Sequence, residues 1–332
     1  MEVTGTVQRY LIQRLILMIP SLFLITVFTF LLLRVFLPGD VVDQIIGQYG
    51  GSDPGLRQEL EEDLGLSGSL VGQYAKWAGI TWFWGGETGI LQGDIGRSLI
   101  NGRSVADELK RRLPVSFELG LWAQLAAIVI SVPTGVWSAL KQDKWPDYGL
   151  RSLAILLNSV PGFWIAILVI TFGSIWFSWA PPVNFEYLTD DPIAHLKIML
   201  LPALIIGLTP GGGLIRLVRT QMLEVLRQDY IRTAHAKGLK ESTVVYKHAL
   251  RNALIPVVTL IGVSLPNIIA GTVIFEQIFV IPGMGRYLVD AVNTRDYPVI
   301  QGLNVVFAML LLFSILLVDV AYAFLDPRIR FE

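Results

Sequence analysis

The sequence predicts an all-α polytopic membrane protein with six transmembrane helices. Three observations carry that prediction. Apolar residues make up 53% of the 332 residues against 16% charged, and the mean hydropathy of +0.58 is far above that of a soluble chain of this length. The charges are gathered into intervals that separate long uncharged windows. The longest charge-rich interval of the apolar second half, Arg216 to Pro256, carries eight Lys/Arg against three Asp/Glu between Arg216 and Arg251.

The windows follow in order. Leu15 to Leu33 gives 19 uncharged residues between Arg14 and Arg34, enough to cross a hydrocarbon core of roughly 30 Å at about 1.5 Å per residue. Pro38-Gly39-Asp40 beyond it lacks a small-residue cleavage pattern, so a retained anchor is expected. Five further windows are Leu119 to Leu140, Ser152 to about Phe177, Ile198 to Ile215, Asn252 to Phe275 and Tyr297 to Val318. A mid-membrane charge costs about 2.5 to 3.5 kcal/mol on the insertion scale, which makes six clean windows a specific signal. They divide the chain into 1–37 (N-terminus and first span), an extracytoplasmic segment 38–115, a core 116–325 that contains the loop 216–256, and a tail 326–332.

Basic residues orient the spans. Lys141, Lys144 and Arg151, the eight of the long loop, and Arg328 and Arg330 all fall on one side, which the positive-inside rule makes the cytoplasm, with both termini. Lys110-Arg111-Arg112 falls on the other side, but closes a segment long enough to translocate regardless of charge. Within that segment, Asp53-Pro54 opens a helix with Leu56, Leu60 and Leu64 at intervals of four, and Gly65 closes it. Ser104 with Asp107 forms a second capping pattern. Trp82, Phe83 and Trp84 read as interfacial anchors, with a solute or binding-protein contact as the minority reading.

Helix breakers lie inside several windows, at Pro133, Pro161-Gly162, Pro202, Pro210 with Gly211, Gly212 and Gly213, Pro256 and Pro266. Simple kinks account for them as well as motion does. The expectation is that Pro161-Gly162 and Pro210 to Gly213 are hinges beside a translocation path. Glu118, Glu276 and Asp319 sit at or beyond window ends, and this scarcity of midplane acids argues against an ion-coupled carrier. With no cysteine, thiolate metal sites are excluded. His195, His235 and His248 form no ligand set or catalytic base, so no metal and no enzyme are expected. No G-x-x-x-x-G-K-[ST] loop occurs, so the chain should not bind ATP by that route. The net charge of −1 is uninformative about nucleic acid, and no such partner is expected.

In the long basic interval, Asp229 is expected to cap a helix from Tyr230 to Lys237, with Gly238 as the left-handed residue ending it. A second helix is expected from near Ser242 toward Pro256. Val245, Ala249, Leu250, Ala253 and Leu254 would pack there while Lys247 and Arg251 stay wet. The small residues Ala234, Ala236 and Gly238 leave room for a partner's surface. An ordinary solvated basic loop accounts for the charges alone. Arg232-Thr233-Ala234, three residues, then Gly238, followed by His248 to Pro256, resembles the glutamate-alanine-alanine loop of ABC importer permeases. The variant is that of the dipeptide, oligopeptide and nickel permease family. Leu64-Gly65-Leu66, Gly93 to Ser98, Arg112-Leu113-Pro114, Pro282-Gly283 with Gly285-Arg286, Arg295 to Pro298 and Leu325 to Arg330 are similar to the same family, so the resemblance spans nearly the whole chain. It is the first, N-terminally extended permease type.

That resemblance implies a type I importer permease fold in the cell membrane. It implies a second homologous permease subunit, two ABC ATPase subunits that carry ATP and Mg, and an extracytoplasmic solute-binding protein, besides membrane lipid. The chain itself would bind no cofactor. By the same resemblance the ATPase-coupling loop comprises Asp229, Tyr230, Arg232, Thr233, Ala234, Lys237, Gly238 and Leu239. Asp229, Ala234 and Gly238 set its geometry, and Tyr230, Arg232 and Leu239 are its contacts. The cargo is expected to be peptides or similar solutes, with nickel chelates or oligosaccharides as the alternative and an ion-coupled carrier as the remaining one.

Overall fold

A computed structural model describes residues 2–31, 68–264 and 267–325. Five helices among them are long and apolar enough to cross a membrane, and a bent pair gives a sixth crossing when counted as one span. There is no strand among the described residues, only an isolated bridge between Arg97 and Ser104. The expected helix from Asp53 to Gly65 and the tail 326–332 lie outside the described residues.

The chain clusters into two units, one drawn from Met1–Leu113 and Tyr287–Leu316, the other from Pro114–Arg286 and Leu317–Leu325. In the first unit, α1 (Glu2–Leu31) is the first span and α2 (Leu70–Ala78) is short. A 3₁₀ turn, Ile80–Trp84, follows α2. The long helix α3 (Val105–Leu140) starts 14 residues ahead of the apolar window read for it, because Ser104 caps its first turn through the Asp107 amide at 3.4 Å. The fully buried Val105 fixes that start beside Gly302 of α12 (Tyr297–Leu325). On α11 (Met284–Thr294), Tyr287 is buried with the Arg112 guanidinium 4.5 Å over its ring. Burial pushes its phenol up to about 12.

The second unit holds α4 (Trp145–Ser159), α5 (Gly162–Phe177) and α6 (Pro192–Leu226). Here the structure corrects the third window. It is not one straight span but two helices bent by 97° at Val160 and Pro161, since a proline disfavours helical backbone in its predecessor and Val160 here takes ψ 126. The fourth window behaves oppositely. Its Pro202, Pro210 and three glycines sit inside an unbroken α6, whose first turn is capped by Asp191 through the amides of Ile193 and Ala194, both at 3.0 Å. The fifth window is carried by the helix α8 (Glu241–Ser264), which begins ahead of it, and by the short helices α9 (Asn267–Ala270) and α10 (Val273–Ile278). Glu276, read only as a window-end residue, is fully buried. Its carboxylate accepts from Thr272 Oγ1 at 2.7 Å and from the Arg286 amide at 3.0 Å, which ties down the turn between them.

Two apolar clusters hold the second unit. One joins Val115 and Leu119 of α3, Ala166 of α5, Ile198 to Ile205 of α6 and Phe275 of α10. The other joins Val136 of α3 and Val218 and Met222 of α6 to residues that follow the spans, which brings the basic interval into the core.

Candidate functional site

The basic interval is built on a short amphipathic helix, α7 (Asp229–Ala236). Periodicity divides its residues. Ile231 and Ala234, three apart, are 1% and 7% exposed and pack into the cluster with Val244 and Val245. Tyr230, Arg232, Thr233, Ala236 and Lys237 remain exposed, as do Gly238 and Leu239 beyond them. The expectation for Ala234 is therefore corrected in part. It does set geometry, but it faces the chain's own core and gives no room to a partner.

The ends of α7 follow distinct rules. Asp229 does not cap it. Gln228 occupies the cap position without a side-chain bond, and the Asp229 carboxylate, already in helical backbone, pairs instead with Arg232 Nη1 at 3.1 Å. Both groups are solvated, so that pair contributes at most about 1 kcal/mol. At the other end Gly238 has φ +73, the left-handed conformation expected of it. Its amide donates to the His235 carbonyl at 2.9 Å and the Leu239 amide to that of Ala234 at 3.4 Å, a Schellman closure. Thr233 Oγ1 donates to the Asp229 carbonyl, and Asn252 Nδ2 donates to the Tyr230 hydroxyl at 2.8 Å, which pins α7 to α8.

α8 begins beyond this elbow and passes through a π-helical stretch, Val244–Ala249. Val245, Ala249 and Ala253 are buried while Lys247 and Arg251 are exposed, as the spacing requires. No local pattern marks Arg219 as unavailable to this basic surface. It donates from Nε and Nη2 to Asp147 at 2.7 and 2.6 Å, and Ser138 Oγ adds a third bond at 2.6 Å. Asp147 is fully buried in the first turn of α4, where the helix dipole also favours its charge. A separation of 72 residues hides that ion pair from any local pattern. His195 was likewise missed. Its ring lies between the Glu186 carbonyl, 2.7 Å from Nδ1, and Glu118 Oε1, 2.8 Å from Nε2. A carbonyl only accepts, so Nδ1 carries hydrogen and donates to Glu186.

The residues read as hinges fall elsewhere in the second unit. Gly162 and Pro210 line a cavity of about 420 Å³, with Gln124, Thr209 and Ser264 as its polar groups. Pro161 stands at the 97° bend. Gly211 and Gly212 do not line the cavity. They are close-packing positions, with the Gly211 carbonyl accepting from Ser131 Oγ and a Cβ at Gly212 running into the Ala154 carbonyl. The spacing of Gly207 and Gly211, small residues four apart, is the sequence signal for such packing.

An exposed amphipathic helix sealed to the ends of two apolar helices invites comparison with known transporters. Residues 131–331 match the family described as the binding-protein-dependent transport system inner membrane component. The chain belongs to that family. Residues 7–120 match the N-terminal model of the membrane components of the same transport systems, a stretch that takes in most of α1 and the start of α3 in the permease. The permease is 38% identical over 332 residues to the oligopeptide transport system permease protein AppB of Bacillus subtilis, covering 97% of this chain and 99% of that protein. It is 38% identical to the dipeptide transport system permease protein DppB of Bacillus subtilis, covering 97% and 98%. The di/tripeptide transport system permease protein DppB of Pseudomonas aeruginosa is 36% identical, covering 97% and 99%. Multi-pass membrane insertion and a permease rather than an enzymatic family agree with the reading of the sequence.

Proposed function

We propose that this permease is one transmembrane subunit of an ATP-driven importer of peptides. It works with a second related permease, two ATPase subunits in the cytoplasm that bind the ATP and Mg, and a solute-binding protein on the opposite side. The observation that carries the coupling role is the division of α7, with Ile231 and Ala234 sealed into the core and Tyr230, Arg232 and Leu239 presented outward. A push on the outward face is delivered to α6 and α8 together, because all three elements share one apolar cluster. Gly162 and Pro210, at the cavity, are where bending of α5 and α6 would change a path for cargo. Peptide cargo is supported by relatives named for oligopeptide, dipeptide and di/tripeptide transport. The basic residues of the 216–256 interval support a cytoplasmic placement of α7 and of both termini.

The test is co-purification and uptake with Leu239→Asp and Tyr230→Ala, whose side chains are 40% and 43% exposed in this chain. Ala234→Glu would serve less well, because a charge at that buried position disrupts the core before it reaches a partner. The exposed-face variants should remain monodisperse yet release the ATPases and lose ATP-driven peptide uptake. Full retention of both in the Leu239→Asp, Tyr230→Ala double variant would remove the coupling assignment.

A further inference from the structure

The stretch Leu70–Trp84 displays an exposed apolar surface. Its display is built in. Ser69 caps α2 through the Gly72 amide at 3.2 Å, and Gly79 and Gly85, at φ 79 and 84, close α2 and the following 3₁₀ turn. The Gln92 side chain fastens the turn, accepting from the Gly89 amide at 2.9 Å and donating to the Gly79 carbonyl at 3.1 Å. Held in this way, Trp82, Phe83 and Trp84 are 48%, 66% and 81% exposed, and Val71 on α2 is 79% exposed.

The other face of α2 says what lies beside them. Tyr74 meets Phe23 and Phe30 of α1 edge-on, at 6.2 and 5.5 Å between ring centres, and its hydroxyl is 2.9 Å from Thr26 Oγ1. Trp77 packs on Phe30 at 5.7 Å. Phe23 to Phe30 covers about 10 Å of helix, within the second half of the described apolar stretch Ile12–Leu31. On that span Phe23, Leu24 and Phe28 keep more than half of their surface exposed, as lipid-facing residues do. α2 thus lies along a membrane helix from near the middle of the uncharged window Leu15 to Leu33 toward Arg34, the charge that closes it. Aromatic side chains concentrate where hydrocarbon gives way to headgroups, because the ring is apolar and its edge tolerates water.

We propose that Leu70–Trp84 is an interfacial foot seated in the lipid bilayer. Leu70, Val71 and Phe83 enter the acyl boundary, Trp82 and Trp84 lie among the headgroups, and the exposed Lys76 reaches lipid phosphate. The polar Glu87 and Thr88 that follow stay in water. This goes beyond the importer reading and stands or falls apart from it.

The absence of cysteine from the chain makes the test direct. Full-length Phe83→Cys, Val71→Cys and Glu87→Cys are spin-labelled, reconstituted in phospholipid nanodiscs, and compared for collision with oxygen, which concentrates in lipid, and a water-soluble nickel chelate. Labels at 83 and 71 should favour oxygen several-fold, and the label at 87 should favour nickel. A label at 83 as open to nickel as the one at 87 overturns the proposal. So does one shielded from both reagents, which would put a protein surface over the turn. Should a cysteine variant not reconstitute, quenching of tryptophan fluorescence by brominated lipid decides: it should fall in Trp82→Phe with Trp84→Phe, and equal quenching in wild type and that variant overturns the proposal.

Discussion

Asp147 accepts hydrogen bonds from Arg219 Nε and Nη2, Ser138 Oγ and the Asp143 amide while exposing no surface. A carboxylate so placed is tolerated only because every partner is present; removing one side of such a pair strands the other charge. Asp147→Ala should therefore destabilise the permease by about 3 to 5 kcal/mol, read as a lower melting temperature in detergent. Asp147→Leu with Arg219→Leu should recover much of that loss, and a double variant as unstable as Asp147→Ala would show that the pair is not the cause. Neither residue is remarkable in the sequence, where Arg219 reads as one more basic residue of a loop. The same holds for His195 and Glu118, whose separation of 77 residues conceals their contact. Gly238 is the opposite case, since a glycine just after a helix of alternating exposed and buried residues announces a left-handed closure.

At the scale of elements, the elbow between α7 and α8 is the joint on which the coupling role depends. A Cβ at Gly238 would meet open space, so the cost of a side chain there comes from its φ of +73 alone. Gly238→Ala should cost about 1 to 2 kcal/mol, and Gly238→Val more, because a branched side chain is further disfavoured at positive φ. The readout is local: faster amide exchange across residues 229–245 and weaker coupling of ATP hydrolysis to uptake, with the melting of the spans little changed. Unaltered exchange and uptake in Gly238→Val would remove the elbow from the mechanism. The two breaker motifs part company at this scale. Pro161 breaks a span by 97°, whereas Pro210 with its glycines lies in a continuous helix packed on Ser131 and Ala154. Breaker residues mark where a helix is able to bend or be approached closely, and their neighbours choose between the two.

For the whole molecule, the basic residues and the aromatic turn make a prediction about sides. Lys237→Cys and Glu87→Cys, both at exposed positions, should be labelled by an impermeant maleimide from opposite faces of the membrane, position 237 from the cytoplasmic face. Labelling of both from one face would overturn the topology. The sequence by itself determined the class of the protein, the number and approximate place of the spans, the family, the amphipathic helix α7 and its glycine closure. These are legible because they are local: apolar length, helical period and turn chemistry act within about 20 residues. Only the tertiary structure decided that Ala234 faces inward, that Asp229 pairs sideways instead of capping, that Arg219 is consumed by Asp147, and that the third window is bent while the fourth runs on unbroken. The burial of Ala234 and the pairing of Arg219 are set by residues far away in the chain, and contacts across such separations exist only once the spans have packed. The Asp229 pair and the bend at Pro161 are local, but the same residue types also allow a cap or an unbroken helix, and the structure chooses between them.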